Sequence, residues 1–118
     1  MPESQSKFTI TRVNDTTVVT LVEKSITDPL YIIELSDDLV STLKDADPSD
    51  MLIDMGNVEF LSSTMLGTLT RLFRQTHEQE GRIRLCSIRP EVLEVFKITK
   101  LDTIFEIHPD AQSALAAD

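Results

Sequence analysis

The sequence predicts an α/β fold with a mixed, mostly parallel sheet, and three observations carry that prediction. Two short runs rich in β-branched residues stand at the front, stretches with a helical apolar period alternate with short apolar runs behind them, and the alternation continues almost to the last residue. The order that results is ββαβαβαβα, which places a hairpin at one edge of the sheet and packs helices on it. No repeat, low-complexity tract or Gly/Ser-rich linker interrupts the 118 residues. The chain is therefore read as one domain over 1–118, with 1–6 as a loose N-terminal tail.

The opening strands are Phe8 to Val13 and Thr16 to Val22, with Asn14-Asp15 suited to the tight turn between them. Asp28-Pro29 then marks a helix start: an aspartate side chain can cap free amides, and proline at the first helical position lacks an N–H that would be unpaired anyway. Ile32, Leu35, Leu39 and Leu43 follow as one apolar stripe. Leu30, Tyr31 and Ile33 fall outside it, either packed under neighbouring loops or forming a patch that faces a partner. The acidic stretch from Asp45 to Asp50 resembles the start of a calcium loop, but it holds Pro48, has Asp50 where the turn glycine belongs and Gly56 where a bidentate glutamate should sit. It reads as a solvated turn. Met51 to Met55 is a buried-type strand and Val58 to Leu61 a further extended piece. A long helix runs from near Thr64 to about Glu80 with Gly81 as its stop signal. Arg82 to Cys86 is a strand, Pro90 to about Lys97 a helix, Thr103 to Ile107 a strand, and Asp110 caps a short Ala-rich helix.

Composition removes several function classes. The chain carries 20 acidic and 11 basic residues, a formal charge of −9, and such an excess repels phosphate backbones, so nucleic acid is not an expected partner. The excess is uneven: residues 1–60 hold twelve acids and four bases, net −8, whereas 61–118 hold eight and seven, net −1. The longest apolar runs span four residues, against about 18 for a membrane span, so no membrane is expected. The N-terminus lacks both the basic and the apolar part of a secretory signal. A solitary Cys86 cannot form an internal disulfide or a cysteine-rich zinc site, and the expected compartment is the reducing cytoplasm.

The long helix carries most of the information. Projected at about 100° per residue, Met65, Leu66, Leu69, Leu72, Phe73 and Thr76 share about 120° of arc, an ordinary core stripe. Thr64, Gly67, Thr68, Arg71, Arg74, Gln75 and Glu78 fall on the other side. A glycine inside a helix costs roughly 0.5–1 kcal/mol relative to alanine, so Gly67 requires a reason: close approach by another backbone, or packing of the first turn against its own strand. Ser62, Ser63 and Thr64 place three hydroxyls at the helix mouth. One is expected to cap free amides, which leaves others facing water where a helix N-terminus tolerates a phosphoryl group.

The segment Asp54-Met-Gly-Asn-Val-Glu-Phe-Leu-Ser-Ser-Thr-Met-Leu-Gly67 resembles the signature of the STAS domain, shared by bacterial anti-sigma-factor antagonists and the cytoplasmic tails of sulphate transporters. Element order and length agree with that family from Lys7 onward. The resemblance implies a non-enzymatic signalling module that binds an anti-sigma factor, itself a histidine-kinase-like serine/threonine kinase. That kinase phosphorylates the second hydroxyl of the motif, Thr64 by register with Ser63 as runner-up, and a phosphatase resets it. The binding residues it implies are Asn57, Glu59, Ser62, Ser63, Thr64, Met65, Gly67, Thr68 and Arg71. The chain departs from the pattern at Ser62, where an acid usually stands, and at Met65, where glycine does. The alternative within the same fold is an unphosphorylated scaffold in another bacterial signalling complex, with Ser62 to Thr64 serving only as caps. An enzyme has little support: His77 and His108 have no second ligand at metal spacing, Cys86 sits among apolar neighbours, and no nucleophile elbow or Gly-rich phosphate loop occurs. No catalytic residue, metal or cofactor is expected.

Overall fold

The computed structural model describes residues 7–117; the expected loose tail, 1–6, lies outside them. The elements in order are β1 (Phe8–Val13), β2 (Thr16–Leu21), β3 (Ser25–Ile26), α1 (Pro29–Asp45), β4 (Asp50–Asp54), β5 (Phe60–Leu61), α2 (Ser63–Glu78), β6 (Arg82–Cys86), α3 (Pro90–Ile98), β7 (Glu106–His108) and α4 (Ala111–Ala116). Five strands form one sheet in the order β1-β2-β4-β6-β7. The β1–β2 hairpin is antiparallel and every other pairing parallel. The expected fold class is the observed one.

Local chemistry accounts for the helices. Asp28 caps α1 by accepting from the Leu30 amide at 3.2 Å, ahead of Pro29, and Asp110 caps α4 by accepting from Ser113 N at 2.7 Å. The period-2 alternation of the strands gives the sheet two different faces. Val19, Leu21, Met51, Ile53, Ile83 and Leu85 point to one face, where the buried stripes of α1, α2 and α3 cover them in the main core. On the opposite face Leu52 and Cys86 meet Ala114 of α4 in a smaller cluster.

Three expectations change. A parallel pair of two-residue strands, β3 and β5, forms a second small sheet, of which only the second strand was legible as extended chain. The strand expected from Thr103 to Ile107 is displaced: Leu101–Thr103 is a 3-10 turn and the strand is Glu106–His108. The turn drops Phe105 into the core, edge-on to Phe73 and Phe96 with ring centroids 5.5 and 6.4 Å away. Helix α2 ends through Glu80, which takes the left-handed conformation at φ 55°, with Gly81 N donating to Thr76 O. Gly81 is required for another reason: a Cβ there would stand 2.1 Å from the Ser49 carbonyl oxygen.

The α4 face of the sheet depends on a buried cation. Arg84, 2% exposed, donates to Asp50 Oδ1 at 2.8 Å and Thr16 Oγ1 at 3.2 Å. It also donates to the Ala114 and Ala117 carbonyls at the C-terminal end of α4, the negative end of that helix's dipole. One guanidinium thus joins β2, β4, β6 and α4. Removing one partner of a buried pair costs roughly 3–5 kcal/mol, and because Asp50 is partly solvated the lower end applies. Asp50→Ala is expected to lower unfolding stability by about 3 kcal/mol in urea denaturation. A change within about 0.5 kcal/mol, typical of a neutral surface substitution, would contradict this account.

Candidate functional site

The segment between β4 and α2 is fixed almost atom by atom. Asp54 Oδ1 accepts from Gly56 N at 2.9 Å, closing the turn after β4. Met55 N donates to Cys86 O and Val58 N to Met55 O, both at 3.0 Å. The Asn57 side chain donates to Leu21 O at 3.0 Å, and Arg89 Nε to Gly56 O at 3.0 Å. Glu59 N and Phe60 N both donate to Lys24 O, and Ser62 N donates to Ile26 O. The mouth of α2 is therefore held by β2, β6, the start of α3 and the strand β3.

At the mouth itself the expected cap is not made. Ser62 occupies the N-cap position with φ −91° and ψ 168°, yet its side chain accepts no amide; its hydroxyl is buried and has no partner. Its carbonyl takes Met65 N at 3.0 Å and Leu66 N at 3.3 Å. The Ser63 and Thr64 amides have no protein acceptor among the described residues. Both residues are exposed. Two open amides at the positive end of a 16-residue helix, beside two free hydroxyls, form a surface that accommodates a dianion without breaking any existing bond.

The other expected binding residues divide by burial. Met65 is fully buried, so its bulk enters the core instead of crowding Thr64, and its side chain is not available to a partner. Thr68 is also buried, at 6%, contrary to its expected place on the open side. The cause is α1, which runs alongside α2 in the same direction. Arg71 Nη1 donates to Ser36 Oγ at 2.9 Å and Asp37 Oδ1 at 3.3 Å, and Gln79 Nε2 donates to Leu43 O at 3.3 Å. That seam buries a second flank of α2. Arg71 is consequently committed to α1, whereas Arg74 is exposed. Asn57 is a positioning residue of the loop, and Glu59 is half-buried.

Gly67 faces open space: a Cβ there would meet nothing within 4 Å. Neither a neighbouring backbone nor its own strand explains it. Leu30 and Ile33 are 63% and 57% exposed, so these two form surface and Tyr31 alone packs on the core. Sequence reasoning did not single out Phe60, 63% exposed on β5; period two would put it on the same face as buried Val58, so the pattern gave no signal of its exposure.

The residues considered for chemistry are engaged elsewhere. Cys86 is fully buried and burial pushes its thiol up to about 11, which keeps it protonated at neutral pH. His77 lies edge-on to Phe73 at 4.5 Å. His108 Nε2 is 2.9 Å from Glu106 Oε2, whose carboxyl the Arg82 hydrogen bonds hold below the usual range. Among the described residues no helix is long and apolar enough to cross a membrane, and no three His, Cys, Asp or Glu are placed to hold a metal ion.

A five-stranded sheet with a parallel core and an open, hydroxyl-bearing helix mouth defines a small α/β module built to present one surface. The chain belongs to the STAS domain family, whose model matches residues 8–114. It is similar to BtrV of Bordetella bronchiseptica, assigned as an anti-sigma factor antagonist, with 30% identity over 67 residues; the match spans 57% of this chain and 58% of that relative's length. Among solved structures, an anti-sigma-factor antagonist (STAS) domain protein from Planctomyces limnophilus superimposes with a TM-score of 0.84 at 24% identity, covering 92% of this chain and 94% of that one. The anti-sigma factor antagonist SpoIIAA in its unphosphorylated form gives 0.71 at 16% identity, covering 91% and 92%.

Gly67→Ala is expected to stabilise the protein by about 0.5–1 kcal/mol, because alanine gains helix propensity and its methyl meets open space. Urea denaturation reads this directly. A destabilised variant would mean that Gly67 has an internal packing role after all.

Proposed function

We propose that this chain is a non-enzymatic, cytoplasmic anti-sigma-factor antagonist that binds a histidine-kinase-like anti-sigma factor through the mouth of α2 and is released by phosphorylation at Thr64. The observation that carries the reading is the uncapped helix mouth: Thr64 is exposed, its amide and that of Ser63 are open, and Ser62 does not cap them. The kinase transfers the γ-phosphoryl of ATP to Thr64 Oγ1, the hydroxyl proton leaves and ADP departs. A phosphatase hydrolyses the ester and restores binding.

The same geometry explains how a small modification switches a docked state. The product carries about −1.5 to −2 charges, which the open amides tolerate in the free protein. In the complex, the partner surface over Thr64 would have to bury that dianion, and burying an unpaired charge is strongly unfavourable. Ser62, in place of an acid, leaves the motif less negative before modification, so the phosphoryl group makes a larger relative change. Support also comes from the similarity to BtrV, assigned as an antagonist of this kind. The alternative of a scaffold in which Ser62 to Thr64 act only as caps is weakened by the absence of any side-chain cap bond at this helix.

Incubation with the cognate kinase and ATP is expected to place one phosphate on the protein and none on Thr64→Ala; equal labelling of the variant would move the acceptor to Ser63 or elsewhere. In a pull-down from native cells, Thr64→Ala should retain a partner with an ATP-binding kinase-like domain and Thr64→Asp should lose it. An identical set of proteins from wild type and both variants would refute the switch.

A further inference from the structure

Between β5 and the first turns of α3 lies a cleft of about 260 Å3, lined by Glu59, Phe60, Leu61, Glu91, Val92 and Val95. Val92 is buried at its base, Leu61 and Val95 are half-buried, and Phe60 presents its ring to solvent. Neither carboxylate makes a hydrogen bond or ion pair among the described residues. The neighbouring cation, Arg89, directs its Nε to Gly56 O and engages neither acid. Glu91 stands in the first turn of α3, where the helix dipole favours an acid, but the fold gives no such role to the Glu59 carboxylate or to the exposed phenyl ring.

We propose that this cleft receives an arginine side chain of the protein that docks at Thr64. The inference rests on the reading of the α2 mouth as a partner surface. Three properties select the occupant. A volume of 260 Å3 is below the roughly 300–1,000 Å3 of sites for small molecules and cofactors, and suits one side chain. The apolar lining matches an aliphatic stem, while Glu59 and Glu91 supply two anions for the head group and repel an acidic or phosphorylated segment. Arginine fits better than lysine because its planar, weakly hydrated guanidinium stacks on an aromatic face and forks between carboxylates. The cleft adjoins the switch along the chain, since Leu61 is followed by Ser62, Ser63 and Thr64.

The test uses the full chain and two measurements. In the first, 15N-labelled protein is titrated with N-acetyl-arginine N-methylamide, with the citrulline, norleucine and glutamate analogues as controls. The arginine probe is expected to shift the amides of residues 59–61 and 91–95 saturably. The response should be lost in Glu59→Gln/Glu91→Gln, whose fold is verified from the rest of the spectrum. Equal shifts from norleucine or citrulline would overturn the assignment of a cationic occupant, and no shift from the arginine probe would overturn the site. In the second, the partner captured through the Thr64 surface is titrated against wild type and the double variant. At least about a tenfold loss of affinity, falling with added salt, is expected. Unchanged affinity of the double variant, with Thr64→Asp still abolishing binding, would overturn the cleft and leave the switch standing. Probe binding at the cleft alongside Thr64 variants that capture identical proteins would uphold the cleft and overturn the switch.

Discussion

The pinning of residues 55–62 is the constraint on which the rest of the structure depends. This segment leaves β4 with no long element of its own, yet several of its backbone groups and the Asn57 side chain are paired to Leu21, Lys24, Ile26, Cys86 and Arg89. Each bond ties the mouth of α2 to a different part of the framework. Strands β2 and β6, the start of α3 and the small β3–β5 sheet therefore fix where Thr64 stands. Without those bonds an uncapped helix would fray, because its first amides gain nothing from the Ser62 side chain. With them the helix mouth stays formed and open, a combination that an ordinary side-chain cap would have prevented.

Electrostatics follow from the same arrangement. The overall charge of −9 repels polyanions, but it does not describe the proposed docking surface. Acidic residues of α1 meet Lys7 and Arg71 across short gaps: Lys7 Nζ lies 3.6 Å from Glu34 and 3.8 Å from Asp38, and Arg71 lies 3.3 Å from Asp37. What remains exposed at the mouth of α2 is Ser63, Thr64 and Gly67, all uncharged. A phosphoryl group on Thr64 would add a large local charge there.

Much of the fold was legible because local chemistry and apolar period agreed. Asp28-Pro29 and the stripe from Ile32 to Leu43 define α1 in sequence and in space, and the β-branched run of β2 and the continuous apolar run of β4 do the same for the sheet. The failures arise where a tertiary neighbour decides. A single-helix projection shows one buried stripe, so it could not reveal that α1 lies along α2 and buries Thr68. Gly81 looked like a helix stop, whereas the Ser49 carbonyl dictates it and Glu80 adopts the left-handed turn. Two-residue strands such as β3 carry too few residues for any period. At the site, the hydroxyl triplet and Gly67 were visible as unusual features. Their meaning was not, since the failure of Ser62 to cap and the empty space beside Gly67 are properties of the assembled loop.

A charge placed at the mouth of α2 is expected to break docking without disturbing the fold. The most direct measurement compares the partner kinase's dissociation constant for unmodified protein with that for protein fully phosphorylated on Thr64, with amide spectra of both free forms recorded alongside. The account predicts about a hundredfold weaker binding, equivalent to about 2.7 kcal/mol, with spectral changes confined to the first turn of α2 and its flanking loop. Equal dissociation constants for the two forms, or a loss of binding accompanied by changes throughout the sheet, would contradict it.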